Sequence, residues 1–346
     1  MGGTRIAVVG ATGAVGSEMT RILEERGFSP ENITLFATAR SAGTRIPFGD
    51  RELEVREATE RWFDGIDLAL VSCGSAASRA LLPAAAAAGT ACIDNSSAFR
   101  MDPAVPLVIP EINADAAAGH RGIIANPNCT AITALVPLAP LHRALGLRFL
   151  LTSSYQSVSG TGMRAIRELA EQVGKLHGQE EELRRPDPSA LPEPQVYARP
   201  IAYNVIPFCE QPAPDGSGFT TEETKMLDEA RKILGIPELR GAATAVRVPV
   251  VTGHGVSVYA EFDLEPVIDR VRDELASAPG VRLVDDLEHD AFPTPLEAAG
   301  LDEVLVGRVR RPEGGDRHAL LYFAAGDNLR KGAALNAVQI AELLLA

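Results

Sequence analysis

The chain of 346 residues is too long for one small core and suits two domains. Its 46% apolar content excludes global disorder, and a net charge of −13 argues against nucleic acid or an anionic membrane as the main partner. Any anionic ligand must then be held by local arginines and lysines working against the overall field.

Residues 5–10, RIAVVG, read as a buried strand. A helix is predicted over 17–27, where Met19, Ile22 and Leu23 recur at helical spacing and Gly27 supplies the stop. Further strands are expected at 32–38, 67–73 and 90–96, the last preceded by an alanine-rich helix. This alternation implies a parallel sheet with helices on both faces. After Cys129 a helix is expected to begin, with Pro137 and Pro140 kinking or breaking it. Beyond about residue 150 the texture changes: 148–160 reads as a strand running into a glycine loop, 161–182 as a polar helix, and 185–218 as proline-rich surface loops. Strands at 255–262, 303–311 and 318–325 follow, the last two too close for a crossover helix and hence antiparallel. The apolar helix 331–346 is placed back against the first domain.

Cys73, Cys92, Cys129 and Cys209 show no CxxC pairing, so neither a metal site nor a disulfide framework is expected. The first residues lack the apolar run of a secretory signal, and no stretch reads as a membrane span. A soluble, cytoplasmic protein with a small-molecule substrate is the expectation.

GATGAVG places Gly10, Ala11, Thr12, Gly13, Ala14, Val15 and Gly16 between the first strand and the first helix. Glycines there allow a tight turn and let backbone approach a pyrophosphate seated on the helix N-terminus. The spacing is GxxGxxG rather than GxGxxG, and the strand–turn–helix context strengthens it. At the end of the second strand stand Arg40 and Ser41, with no carboxylate from Thr34 to Asp50. A guanidinium fork and a hydroxyl suit a ribose 2′-phosphate, which predicts NADP rather than NAD. The fold expected is therefore α/β: a Rossmann-type parallel-sheet domain (1–128 plus 328–346) with an inserted α+β domain (129–327) carrying an antiparallel or mixed sheet.

Cys129, in NPNCT, stands at a predicted helix N-terminus, where about half a positive charge can lower a thiol pKa. Asn128 and the free N–H groups beside it could form an oxyanion hole. Alone this is weak, since most cysteines are buried and inert. A nucleophile needs a proton handler, and His254 lies between glycines in RVPVVTGHG. Arg100 follows the strand at 90–96, at the carboxyl edge where open α/β sheets bind ligands. TEETKM sets Glu222 and Lys225 on one helix face, and Arg247 opens the histidine stretch.

GATGAVG, SSAFRMD, NPNCT, SVSGTG, TEETKM, RVPVVTGHG and GDNLRKGAALNAVQIAELL, in that order, make the whole chain resemble aspartate-β-semialdehyde dehydrogenases. The resemblance implies NADPH-dependent reductive dephosphorylation of 4-phospho-L-aspartate to L-aspartate 4-semialdehyde, a step in lysine, threonine, methionine and isoleucine biosynthesis. It implies Cys129 as nucleophile forming a thioester, His254 as general acid and base, and Gln156 orienting the substrate. Arg100 and Lys225 would hold phosphate, Arg247 the α-carboxylate and Glu222 the α-ammonium. Ser159, Gly160 and Asn328 would contact the nicotinamide half of the cofactor. Family members form homodimers through the second domain's sheet, sometimes paired into tetramers.

The closest rival is a reductase of N-acetyl-γ-glutamyl phosphate, whose acylated amine needs no carboxylate partner and whose cysteine sits in PGCYPT rather than PNCTAI. A glyceraldehyde-phosphate type dehydrogenase would be expected to show another cysteine signature and an acidic residue for NAD. A non-catalytic NADP-binding thiol sensor would have no use for the set Arg100, Glu222, Lys225 and Arg247.

Overall fold

The computed structural model describes residues 3–345; the expected segments 1–128 and 331–346 reach past them at Met1, Gly2 and Ala346. β1 (Ile6–Val9), buried throughout, leads through the glycine loop into α1 (Ala14–Glu25), which starts at Ala14 rather than at residue 17. There follow β2 (Ile33–Ala37), β3 (Arg45–Phe48), β4 (Arg51–Glu57), β5 (Leu68–Val71), α2 (Ser75–Ala87), β6 (Ala91–Asp94), α3 (Pro110–Asn113) and β7 (Ile123–Ala125). The strands lie in the order β3-β4-β2-β1-β5-β6-β7. All neighbours are parallel except the β3–β4 hairpin at one edge. Sequence reading misses this hairpin because its apolar signal is thin: of its strands only Phe48 and Val55 are buried.

The second half builds α4 (Cys129–Leu145), β8 (Leu147–Gln156), α5 (Met163–Leu176), α6 (Thr221–Leu234), β9 (Arg240–Arg247) and β10 (His254–Phe262). It continues with α7 (Ile268–Ser277), β11 (Val281–Leu283), α8 (Pro295–Ala298), β12 (Val304–Arg310) and β13 (Ala319–Gly326). Its sheet runs β11-β12-β13-β10-β8-β9. β8–β9 and β11–β12 are parallel and the other pairs antiparallel, so the sheet is mixed, and β12–β13 is antiparallel as expected. The fold is thus a Rossmann-type sheet joined to an α+β unit.

Pro137 and Pro140 do not end α4, which runs through both as one helix. Its residues are buried almost without interruption, against β8, β10, β12 and β13 and against α6 and α7. Packing on nearly every face outweighs the loss of two backbone donors.

The stretch 185–218 is irregular, yet it is pinned rather than free on the surface. On α5, Gln172 Oε1 accepts from the N–H groups of Ile201 (2.8 Å) and Ala202 (3.1 Å), and Glu168 Oε2 from that of Val196 (2.5 Å). Ile201 and Ile206 are buried beneath it.

The C-terminal segment opens with one π-helical turn, Arg330–Ala334, before α9 (Leu335–Leu345). α9 packs on α1, β5 and β6. Lys331 in the π turn is fully buried, and its Nζ donates to both Glu111 oxygens (2.8 and 2.7 Å), Asn336 Oδ1 (3.0 Å) and Gln339 Oε1 (2.7 Å). Burial pushes its pKa down while Glu111 pulls it up. Lys331→Met should destabilise the fold by about 3–5 kcal/mol, because it strands the Glu111 carboxylate without its cation. Urea unfolding checks this, and adding Glu111→Gln should return part of the loss.

Candidate active site

The carboxyl edges of β1, β5 and β6 and the start of α4 face β8, β10 and α6 across a cleft of about 720 Å³. Arg100, Asn128, Cys129, Gln156, Ser159, Gly160, Glu222, Lys225, Arg247, His254 and Asn328 all line it, with Val15 from the glycine loop at its border. The remaining residues of that loop, Gly10 to Ala14, and Arg40 and Ser41 are not among its lining residues.

Cys129 is the first residue of α4, and its Sγ lies 3.3 Å from His254 Nε2. The Asn128 side chain caps this helix, accepting from the N–H groups of Thr130 (2.8 Å) and Ala131 (3.3 Å). Its amide donates to both oxygens of Glu222 (3.1 Å each), and its backbone N–H donates to Glu229 Oε2 (2.6 Å). The Asn128 side chain is thus held by the helix it caps and by Glu222.

His254 opens β10. Its Nδ1 lies 3.1 Å from both the backbone N–H and the hydroxyl of Ser157. The N–H can only donate, which puts the ring proton on Nε2, facing sulfur. The hydroxyl can also accept from Nδ1 when its own proton goes to Asn328 Oδ1, 2.9 Å away. Either ring nitrogen can thus carry the proton. Asn328 Oδ1 further accepts from Gly253 N–H (2.9 Å), and its Nδ2 donates to Ser159 Oγ (2.9 Å). Most of its hydrogen-bonding capacity is spent on supporting the His254 loop.

Glu222, nearly buried, is met by amides: Asn128 Nδ2 and Gln156 Nε2 (3.0 Å), with Lys225 Nζ farther off at 3.8 Å. Lys225 instead donates to Glu210 (2.6 and 2.5 Å). Arg247 donates from Nη1 to Ser157 O (2.7 Å), lies 5.9 Å over the Tyr197 ring, and has a buried Nε with no partner among the described residues. Arg100 donates to Asn126 O (2.9 Å), Asn95 O (3.0 Å) and Glu229 Oε1 (3.1 Å). Glu210, Glu229 and Tyr197 carry no motif signal, and Ser157 opens the SVSGTG motif without having been singled out. Only the spacing of Glu229 to Glu222 and Lys225 on α6 hints at a shared face.

Burial first, and the Glu222 charge second, push the Cys129 thiol up to about 12, against the pull of Arg100 and Arg247. Burial and Arg247 push His254 down to about 3. Both shifts favour the neutral form of the group. The helix N-terminus does not win here, contrary to the expectation of a lowered thiol pKa.

The glycine loop fits a pyrophosphate. Gly10 has φ +89°, and a Cβ on it would stand 2.2 Å from Ser72 O; one on Gly16 would stand 2.1 Å from Gly10 O. No side chain caps α1 at Gly13, which leaves its first-turn N–H groups to an anion. Thr12 Oγ1 donates to Ser41 Oγ (3.3 Å), joining this loop to the exposed turn that carries Arg40.

In the protein alone, iodoacetamide labelling of residue 129, read by peptide mass spectrometry, should rise about tenfold per pH unit from pH 7 to 10 without a plateau. Glu222→Gln removes the nearby anion and should raise that rate at pH 8 by about threefold or more. A plateau below pH 8 in the unsubstituted protein contradicts control by burial.

Residues 5–120 match the family model described as semialdehyde dehydrogenase, NAD binding domain, and residues 138–331 the one described as semialdehyde dehydrogenase, dimerisation domain. The chain is 48% identical to the aspartate-semialdehyde dehydrogenase of Corynebacterium glutamicum, with 99% of each chain covered. Against that of Bacillus subtilis it is 43% identical, over 99% of this chain and 97% of the other. Among solved structures, aspartate semialdehyde dehydrogenase II of Vibrio cholerae, complexed with ASA, superposes with a TM-score of 0.92 at 39% identity, covering 100% of this chain and 99% of that one. The chain belongs to the aspartate-semialdehyde dehydrogenases, a family of NADP-dependent oxidoreductases.

Proposed function

We propose that the chain converts 4-phospho-L-aspartate to L-aspartate 4-semialdehyde and phosphate through a thioester on Cys129. The observation that carries this reading is the 3.3 Å contact of Cys129 Sγ with His254 Nε2, in a cleft that also presents Glu222, Arg247, Arg100 and Lys225. Glu222 meets the α-ammonium and Arg247 the α-carboxylate, its unpartnered Nε supplying a free donor. Arg100 and Lys225 meet the phosphate, which competes with Glu210 for the Lys225 ammonium. The Gln156 amide, held against Glu222, orients the substrate beside the sulfur.

An ammonium beside Glu222 cancels the charge that helps keep the proton on Cys129, so substrate itself lowers the thiol pKa. The thiol proton passes to His254 Nε2 while Ser157 and Asn328 accommodate the proton on Nδ1. Sulfur then attacks the acyl carbon, and the C–O bond to phosphate breaks, the departing oxygen taking a proton from solvent. The loop Gly10–Gly16, Ser159, Gly160 and Asn328 would hold NADPH, with Arg40 and Ser41 at its 2′-phosphate, and the bound cofactor would supply the hydride that reduces the thioester carbonyl. Collapse of the hemithioacetal breaks the C–S bond, frees the semialdehyde and returns the thiolate, which recovers its proton from His254.

A buried carboxylate held by amides suits a free ammonium and favours this substrate over N-acetyl-glutamyl phosphate. The working form is proposed as a cytoplasmic homodimer built on the six-stranded sheet, whose open face exposes Leu151 and Tyr155; pairing of such dimers into tetramers would use other surfaces. The domain division proposed is 1–128 with 328–346 for the cofactor and 129–327 for catalysis and dimerisation.

Reduction of NADP with aspartate 4-semialdehyde should require inorganic phosphate and should not occur with N-acetyl-glutamate 5-semialdehyde; turnover of the acetylated compound alone reassigns the pocket. Cys129→Ser should lower turnover by about 10³-fold or more while NADP binding survives. Arg40→Glu should raise the KM for NADP far more than that for NAD, and equal changes would remove Arg40 from the 2′-phosphate site.

A further inference from the structure

Glu229 is fully buried, two turns along α6 from Glu222, and its two oxygens serve two different parts of the site. Oε1 accepts from Arg100 Nη1 at 3.1 Å, and Oε2 from the backbone N–H of Asn128, the cap of the helix that begins with Cys129, at 2.6 Å. One turn farther on, Lys232 Nζ donates to the carbonyls of Arg100 (2.7 Å), Asp102 (2.7 Å) and Val105 (2.8 Å). α6 therefore grips both the Arg100 side chain and the loop that carries it.

We infer that Glu229 is a positioning residue for the phosphate subsite, fixing the Arg100 guanidinium relative to the sulfur of Cys129 through one bidentate carboxylate. The inference rests on Arg100 being a phosphate ligand. Arg100 reaches the cleft from the segment after β6, whereas Cys129 belongs to α4, and Glu229 is a single rigid group touching both. Only a carboxylate can accept at both oxygens. A glutamine of the same shape has one acceptor and one donor, so either Arg100 or the Asn128 N–H loses its partner in a buried setting. The carboxylate also offsets the Arg100 charge, so that phosphate is held firmly enough to be oriented yet is released once the acyl group has moved to sulfur.

The test measures the KM for inorganic phosphate and for aspartate 4-semialdehyde in the oxidative direction, with folding checked by circular dichroism and NADP binding. Glu229→Gln should raise the phosphate KM about tenfold and leave the semialdehyde KM within about twofold, since Glu222 and Arg247 hold that substrate. A folded Glu229→Gln with the phosphate KM of the unsubstituted protein, or with both KM values raised equally, overturns the inference. Glu229→Asp carries the same test if the glutamine variant does not fold. It keeps the charge but is too short to reach both partners, so a selective rise in phosphate KM is again expected and two unchanged values are fatal. Arg100→Gln separates the two levels: loss of phosphate saturation there with unchanged kinetics in Glu229→Gln removes Glu229 alone. An unchanged phosphate KM in Arg100→Gln removes the phosphate-ligand reading and the inference together.

Discussion

The 3.3 Å contact between Cys129 Sγ and His254 Nε2 joins residues 125 positions apart, and the rest of the site is arranged around it. Each partner is the first residue of a regular element, α4 or β10, so each is aimed by a rigid backbone rather than by a loose loop. The start of α4 is fixed by its Asn128 cap and by Glu229 beneath it. The start of β10 is fixed by Ser157, which Asn328 braces from the C-terminal segment. Elements of both halves of the chain must dock correctly before the two atoms can meet.

Charge inside the cleft is organised by pairing. Arg100 sits with Glu229, Lys225 with Glu210, and Arg247 with a carbonyl and the Tyr197 ring. Glu222 is the exception: two amides hold it, and its nearest cation stands 3.8 Å off. An isolated cation would hold an anion more tightly than one already paired with a carboxylate. Paired cations can instead exchange one anion for another, which keeps the site preorganised.

Much of this arrangement was legible in the sequence because local signals coincide with the residues that the fold brings to one cleft. The glycine loop, the Cys129 helix start, the glycine-flanked His254 and the Glu222–Lys225 spacing each sit within a few residues of the feature that positions them. Glu229 and Glu210 escape notice because a glutamate on a charged helix or in a proline-rich stretch reads as solvated. Their burial and pairing arise only from contacts distant in sequence, such as Glu229 with Arg100. The uninterrupted α4 has the same origin: the penalty for Pro137 and Pro140 is local, and the packing that overrides it is not. The β3–β4 hairpin marks the opposite limit, where a mostly exposed edge leaves too few apolar residues to show a period.

The thiol shows best how local and long-range effects compete. A helix N-terminus contributes about half a charge in stabilising a thiolate, and Arg100 and Arg247 act in the same direction. Burial and the Glu222 charge oppose them and leave the thiol pKa raised. On the proposed reading the balance is conditional, because a substrate ammonium beside Glu222 offsets that charge and leaves the pull of Arg100 and Arg247 in place. Burial remains the larger opposing effect, so an ammonium beside Glu222 would ease, and not abolish, the hold on the thiol proton.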